Sequence, residues 1–115
     1  MIVKIGEKEY ELYFGWDFIE EINKINGIEV KGMSMNTGGV SMLDAQLSMN
    51  DPIALKKAIQ AGTSTEKSKP SKKEIEDFIV ELIEDEDGEK YDEFVGNLKK
   101  KLSTQPLTKK AMEQD

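Results

Sequence analysis

The apolar positions of this chain change their period at Gly15. Before it, Ile2-Val3-Lys4-Ile5 reads as a strand, Gly6-Glu7-Lys8-Glu9 as a polar turn, and Tyr10-Glu11-Leu12-Tyr13-Phe14 as a second, alternating strand. After it, Trp16 leads a run in which Ile19, Ile22 and Ile25 line one side of a helix that ends near Asn26-Gly27. The pattern predicts a β-hairpin that feeds directly into an amphipathic helix.

From Gly27 to Gly39 the chain mixes Gly, Ser, Asn and Thr with Met33 and Met35, the composition of a loop with a short extended piece at Ile28–Val30. Thr37-Gly38-Gly39 lacks the Gly-Lys-Ser/Thr ending of a phosphate loop. Ser41 and Asp44 mark the start of a helix with Val40, Leu43 and Leu47 on one face and Met42 and Met49 beside it. Asp51-Pro52 opens the next helix. The Asp side chain can cap free amides, and Pro at the first position loses no needed hydrogen bond. Ile53, Leu55, Ala58 and Ile59 supply its apolar side, and Ala61-Gly62 closes it.

A polar loop then leads to Ser71, whose spacing from Glu74 is that of a capping box. Ile75, Phe78, Ile79, Leu82 and Ile83 form the helical stripe behind it, and Glu84–Asp87 with Gly88 ends that helix. A matching stripe follows at Tyr91, Phe94, Val95, Leu98 and Leu102. Two stripes of similar length joined by a short turn predict an antiparallel helical hairpin. The fold class expected is mainly α, a small N-terminal β-hairpin followed by about five helices, the last two forming that hairpin. Residues 1–102 are expected to make one helical domain, with a front half 1–61, a polar loop 62–70 and the hairpin 71–102. Residues 103–115 are expected to be a flexible tail.

Composition adds mostly exclusions. Leu, Ile, Val and Phe make up 28 of 115 residues, enough to fold but a thin core, of the kind that often gains further burial from a partner or a second copy. There is no His, no Cys and no Arg, because all 16 basic residues are Lys. That removes thiolate nucleophiles, imidazole bases and thiolate or imidazole metal sites, together with the bidentate grip of guanidinium on phosphate. The absence of cysteine excludes disulfides, and no apolar run reaches the length of a membrane span. The net charge is −7, which disfavours nucleic acid and anionic lipid as partners. Ten acids lie between Glu76 and Glu93 against the single base Lys90, and Lys99, Lys100 and Lys101 follow directly. This dipolar layout is that of a solvated helix face or of a head-to-tail contact between copies.

No catalytic, cofactor-binding or metal-binding residues emerge. Glu84-Asp85-Glu86-Asp87-Gly88 would place Ile83 at the first ligand position of a calcium loop, so it reads as a helix-ending turn. Acid pairs among 23 carboxylates carry no specificity for glycoside chemistry. The candidates that remain are partner contacts. Tyr13, Phe14, Trp16 and Phe18 cluster around Gly15, either anchoring the hairpin to the core or, at Trp16 and Phe18, meeting a partner. Met33, Met35, Met42 and Met49 crowd one region and suit either core gaps or an adaptable apolar groove.

Taken in order, the pieces are Phe14-Gly15-Trp16-Asp17-Phe18-Ile19-Glu20-Glu21-Ile22-Asn23-Lys24, Asp51-Pro52-Ile53-Ala54-Leu55, Ala61-Gly62-Thr63, Pro70-Ser71-Lys72-Lys73-Glu74-Ile75 and Pro106-Leu107-Thr108-Lys109-Lys110. This order resembles the tail assembly chaperones of long-tailed, siphovirus-type phages and prophages of Gram-positive bacteria, over nearly the whole chain. The resemblance implies a non-enzymatic helical protein without cofactors that self-associates as a homo-oligomer. It implies binding to the tape measure protein, which is kept soluble while the tail tube assembles around it. It further implies a place in the host bacterial cytoplasm, absence from the mature virion, and contact with tail tube protein through a frameshifted longer product. Two other classes fit the composition: a tail-completion or connector component of the virion, and a small acidic regulator of a host protein.

Overall fold

The computed structural model describes residues 1–26, 29–30, 33–34 and 37–113. Strands β1 (Ile2–Ile5) and β2 (Lys8–Glu11) pair antiparallel, with Val3 opposite Tyr10 and Ile5 opposite Lys8. The turn is two residues shorter than the sequence pattern predicted, because Gly6 adopts a positive φ of 65° and closes the hairpin in two residues. Val3, Ile5, Tyr10 and Leu12 face the core.

Helix α1 (Trp16–Asn26) follows, then a minimal strand pair, β3 (Glu29–Val30) and β4 (Met33–Ser34), and helices α2 (Gly39–Ser48) and α3 (Pro52–Gly62). The predicted face of α1 is rotated. Phe18, Ile22 and Asn26 are buried at i, i+4 and i+8, whereas Ile25 is exposed and Ile19 half-buried. The rotation follows from Asn26, which is tied on both sides. Its Nδ2 donates to Gln46 Oε1 at 3.0 Å, and Lys57 Nζ donates to its Oδ1 at 2.9 Å, so one buried amide links three helices.

Helix α2 does not start as Ser41 and Asp44 suggested. Its opening amide at Gly39 donates to Asn23 Oδ1 on α1 at 2.9 Å, a cap supplied by the neighbouring helix. The approach is close enough that a Cβ at Gly39 would lie 2.7 Å from both that oxygen and the carbonyl oxygen of Ile22. Ser41 instead donates to the carbonyl of Ala111 at 3.3 Å. Helix α3 starts as its sequence predicts, with Asp51 Oδ1 accepting from the Ile53 amide at 2.9 Å and Pro52 in the first turn.

Helices α4 (Lys72–Glu84) and α5 (Glu89–Thr104) form the expected hairpin, held by an edge-to-face contact of Phe78 and Phe94 with ring centroids 5.5 Å apart. The turn between them is left-handed. Glu86, Asp87 and Gly88 have φ of 50°, 55° and 90°, a conformation costing roughly 1–2 kcal/mol for each residue with a side chain. The capping box of α4 is complete: Ser71 Oγ accepts from the Glu74 amide at 3.0 Å and Glu74 Oε1 from the Ser71 amide at 2.9 Å. Five helices match the prediction, and a sixth, α6 (Pro106–Met112), occupies the segment expected to be a free tail. Thr108 anchors it. The residue is fully buried and its hydroxyl donates to the carbonyl of Leu102 at 2.7 Å, which turns the chain back onto α2.

Two outcomes follow. Gly39→Ala should destabilise the protein by about 1–3 kcal/mol, the usual cost of overpacking, and chemical denaturation measures it; an unchanged midpoint would contradict the close crossing of α1 and α2. The second concerns pH. The hydrogen bonds from the Ser71 amide and hydroxyl, with Lys8 nearby, hold the Glu74 carboxyl below its ordinary range. A lowered folded-state value adds stability above the unfolded value, and that stability is lost as pH falls through the folded one. Glu74→Gln should therefore melt below the wild type at neutral pH, with the gap closing as pH drops below about 4; a gap independent of pH would refute it.

Candidate partner-binding surface

The segment joining β2 to α1 is positioned by backbone hydrogen bonds. The Leu12 amide donates to the carbonyl of Met1 at 2.8 Å, and the Tyr13 amide to that of Gly62 at 3.0 Å, so the hairpin is strapped to the end of α3. From Tyr13 to Phe18 the side chains divide between core and solvent. Phe14 and Phe18 turn inward and meet edge-on at 5.1 Å, while Tyr13 and Trp16 remain outside. Trp16 is 72% exposed and Phe18 only 1%. Between this segment and residues 61–65 lies a hollow of about 220 Å³, with Tyr13, Trp16, Phe18, Ala61 and Thr65 among its walls. Its rim includes Asp17.

The structure thus separates the two aromatic candidates. Phe18 is a core residue that sets the floor of the hollow, and Trp16 is the one a partner can reach. Met42, on the outer side of α2, and Met49, just past its end, are 43% and 72% exposed, unlike buried Val40, Leu43 and Leu47. Met35 and the side chain of Met33 lie outside the described residues.

A second apolar surface was not anticipated. The Lys56–Glu76 ion pair, at 2.8 Å, and the shared hollow of Pro52 and Ile83 set α3 antiparallel to α4. Ile53 lies one turn before Lys56 and Val80 one turn after Glu76, so this register brings them level. Both are exposed, as are Ile83 and Met49. Ile53 and Ile83 fit their helical stripes in the sequence, and the period is correct; among the described residues no neighbouring element covers that part of the face. The Lys56 ammonium, donating to Glu76 Oε2, also holds that carboxyl below its ordinary range.

Among the described residues no three His, Cys, Asp or Glu side chains are grouped to hold a metal ion, and no helix is long and apolar enough to cross a membrane.

Substitution should separate the two aromatics. Phe18→Ala should cost about 3–5 kcal/mol in unfolding free energy, and Trp16→Ala less than about 0.5 kcal/mol, as for other surface positions. Equal losses in urea denaturation would overturn the division of roles.

Comparison with known proteins adds one finding. A family model described as phage tail assembly chaperone protein, TAC, matches residues 2–114. Neither the curated proteins nor the solved structures include a match to the chain.

Proposed function

The chain belongs to the phage tail assembly chaperone family, and from that membership we propose that it oligomerises and binds the tape measure protein, keeping it soluble while the tail tube assembles. The observation that carries this reading is the coincidence of family membership over nearly the whole chain with large apolar side chains left in water. Trp16 and Tyr13 flank a hollow, and Met42 on α2 and Met49 at its end are exposed. A tape measure protein is a long helical chain whose apolar stripes aggregate unless they are covered. An amphipathic helix docks its apolar face into such a surface through anchors spaced by helical turns, with an aromatic at the centre. Methionine suits a surface that must accept many different stretches of one long partner.

The acidic exterior supports the same role. At −7 the chain carries charge that keeps a coated complex soluble and turns away nucleic acid. Binding that covers an aggregating segment needs no catalytic group, in keeping with a family of chaperones. The proposed place of action is the host bacterial cytoplasm, with the protein released before the virion is complete. A frameshifted longer product is the proposed route to the tail tube protein.

The test is co-expression with the tape measure protein encoded by the same phage or prophage. Wild-type chain should move most of that protein into the soluble fraction. Trp16→Ser combined with Met49→Ser should lose at least half of the effect while melting like wild type. No solubilisation by the wild type would sink the reading. Mass spectrometry of purified virions provides the second arm: the chain should be missing, and its presence at stoichiometric level would favour a structural tail component.

A further inference from the structure

Helix α5 separates two hollows of opposite charge. Near its C-terminal end a hollow of about 470 Å³ lies between β1 and α5, with Ile2, Phe94, Asn97, Lys100 and Lys101 in its wall. Ile2 is exposed and Phe94 half-buried, so the floor is apolar, and the charged side chains lining it are both lysines. Near the N-terminal end of α5 a hollow of about 320 Å³ is walled by Pro52, Ile83, Asp87, Tyr91 and Asp92. Its floor is apolar too, and the charged side chains lining it are both aspartates. Tyr91 is 7% exposed, and its buried hydroxyl has no hydrogen-bond partner among the described residues.

These two surfaces cannot meet within one molecule. Tyr91 and Lys100 are nine residues apart on one continuous helix, about 14 Å at the helical rise. Between molecules they match. Lysine stems can cover apolar floor while their ammonium groups reach carboxylates, and the aspartate end carries exposed Ile83 with Ile53 and Val80 beside it. Two copies that each carry −7 repel in most orientations, so an approach that brings unlike ends together is selected. We infer that the lysine-rimmed hollow of one copy receives the aspartate-rimmed end of a second copy, giving a head-to-tail contact. Such a contact uses different surfaces on the two partners. It therefore propagates into an open chain or a ring instead of stopping at a symmetric pair.

The inference rests on the proposed self-association and specifies its surfaces. It is tested by sedimentation velocity on the full chain, the Lys100→Glu/Lys101→Glu variant, the Asp87→Lys/Asp92→Lys variant and their equimolar mixture. All four positions are exposed, so circular dichroism should report wild-type melting. Wild type should sediment above monomer mass at low salt and fall back as salt is raised to about 0.5 M, where screening is nearly complete. Each variant alone should need at least a tenfold higher concentration to associate, because like charges then face each other. The mixture should recover wild-type association, because both kinds of contact again pair unlike charges. If a reversal variant unfolds, Lys100→Gln/Lys101→Gln and Asp87→Asn/Asp92→Asn give the same readout without recovery on mixing. Wild type that remains monomeric at every concentration overturns this contact and the self-association reading together. Association unchanged by either pair of substitutions overturns the contact alone.

Discussion

The crossing of α1 over α2 and α3 is the constraint on which the rest of the molecule depends. Phe18 and Ile22 pack at that crossing with Leu43, Leu47, Leu55 and Ile59, all almost wholly buried. Two polar ties fix its geometry. Asn23 caps the start of α2 through the Gly39 amide, and Asn26 joins Gln46 to Lys57. Both ties come from the second half of α1, so the helix cannot rotate about its axis without leaving buried amide groups unpaired, at roughly 1–3 kcal/mol each. Fixing α1 also fixes its first turn, and with it the direction in which Trp16 points.

The surface is a consequence of that economy. A core assembled from short helices covers each one on a single side, and the apolar residues that exceed what the neighbours can cover remain outside. The strap from Tyr13 to Gly62 holds β2 and the end of α3 together, so Tyr13 and Trp16 flank a hollow whose floor is already solid. Such a site is preorganised. A partner docking there would spend little of its binding energy on ordering the aromatic segment.

The sequence was legible wherever structure is set locally. The period change at Gly15, the Asp51-Pro52 start and the Ser71–Glu74 box each depend on residues within one turn of one another, and each forms as expected. What was misread depends on distant neighbours. Periodicity places Ile53 and Ile83 on an apolar face, but whether a helix covers that face is decided by packing, and none among the described residues does. The buried side of α1 shifted for the same reason, since Asn26 looks like a helix end until Gln46 and Lys57 are brought beside it. Helix α6 escaped notice because its anchor is a threonine. Pro106 in its first turn, with Leu107, Thr108, Ala111 and Met112 at helical spacing, was the available signal. Of the candidate site, the exposure of Trp16 against the burial of Phe18 could not be read from two aromatics two residues apart.

Charge and fold are connected through α5. An amphipathic helix needs polar residues on its outer face, but nothing in folding requires that acids gather at one end and lysines at the other. At the helix termini the order is favourable, because Glu89 and Asp92 lie near the positive end of the helix dipole and Lys101 near the negative end. That effect fades within one turn, and it accounts for neither the acids that continue back through the turn into α4 nor the three successive lysines at residues 99–101. The turn itself places Glu86 and Asp87 in a left-handed conformation that glycine would adopt at lower cost. Stability alone would favour glycine at both positions, so the acidic turn is better explained by what it presents outward than by what it holds together.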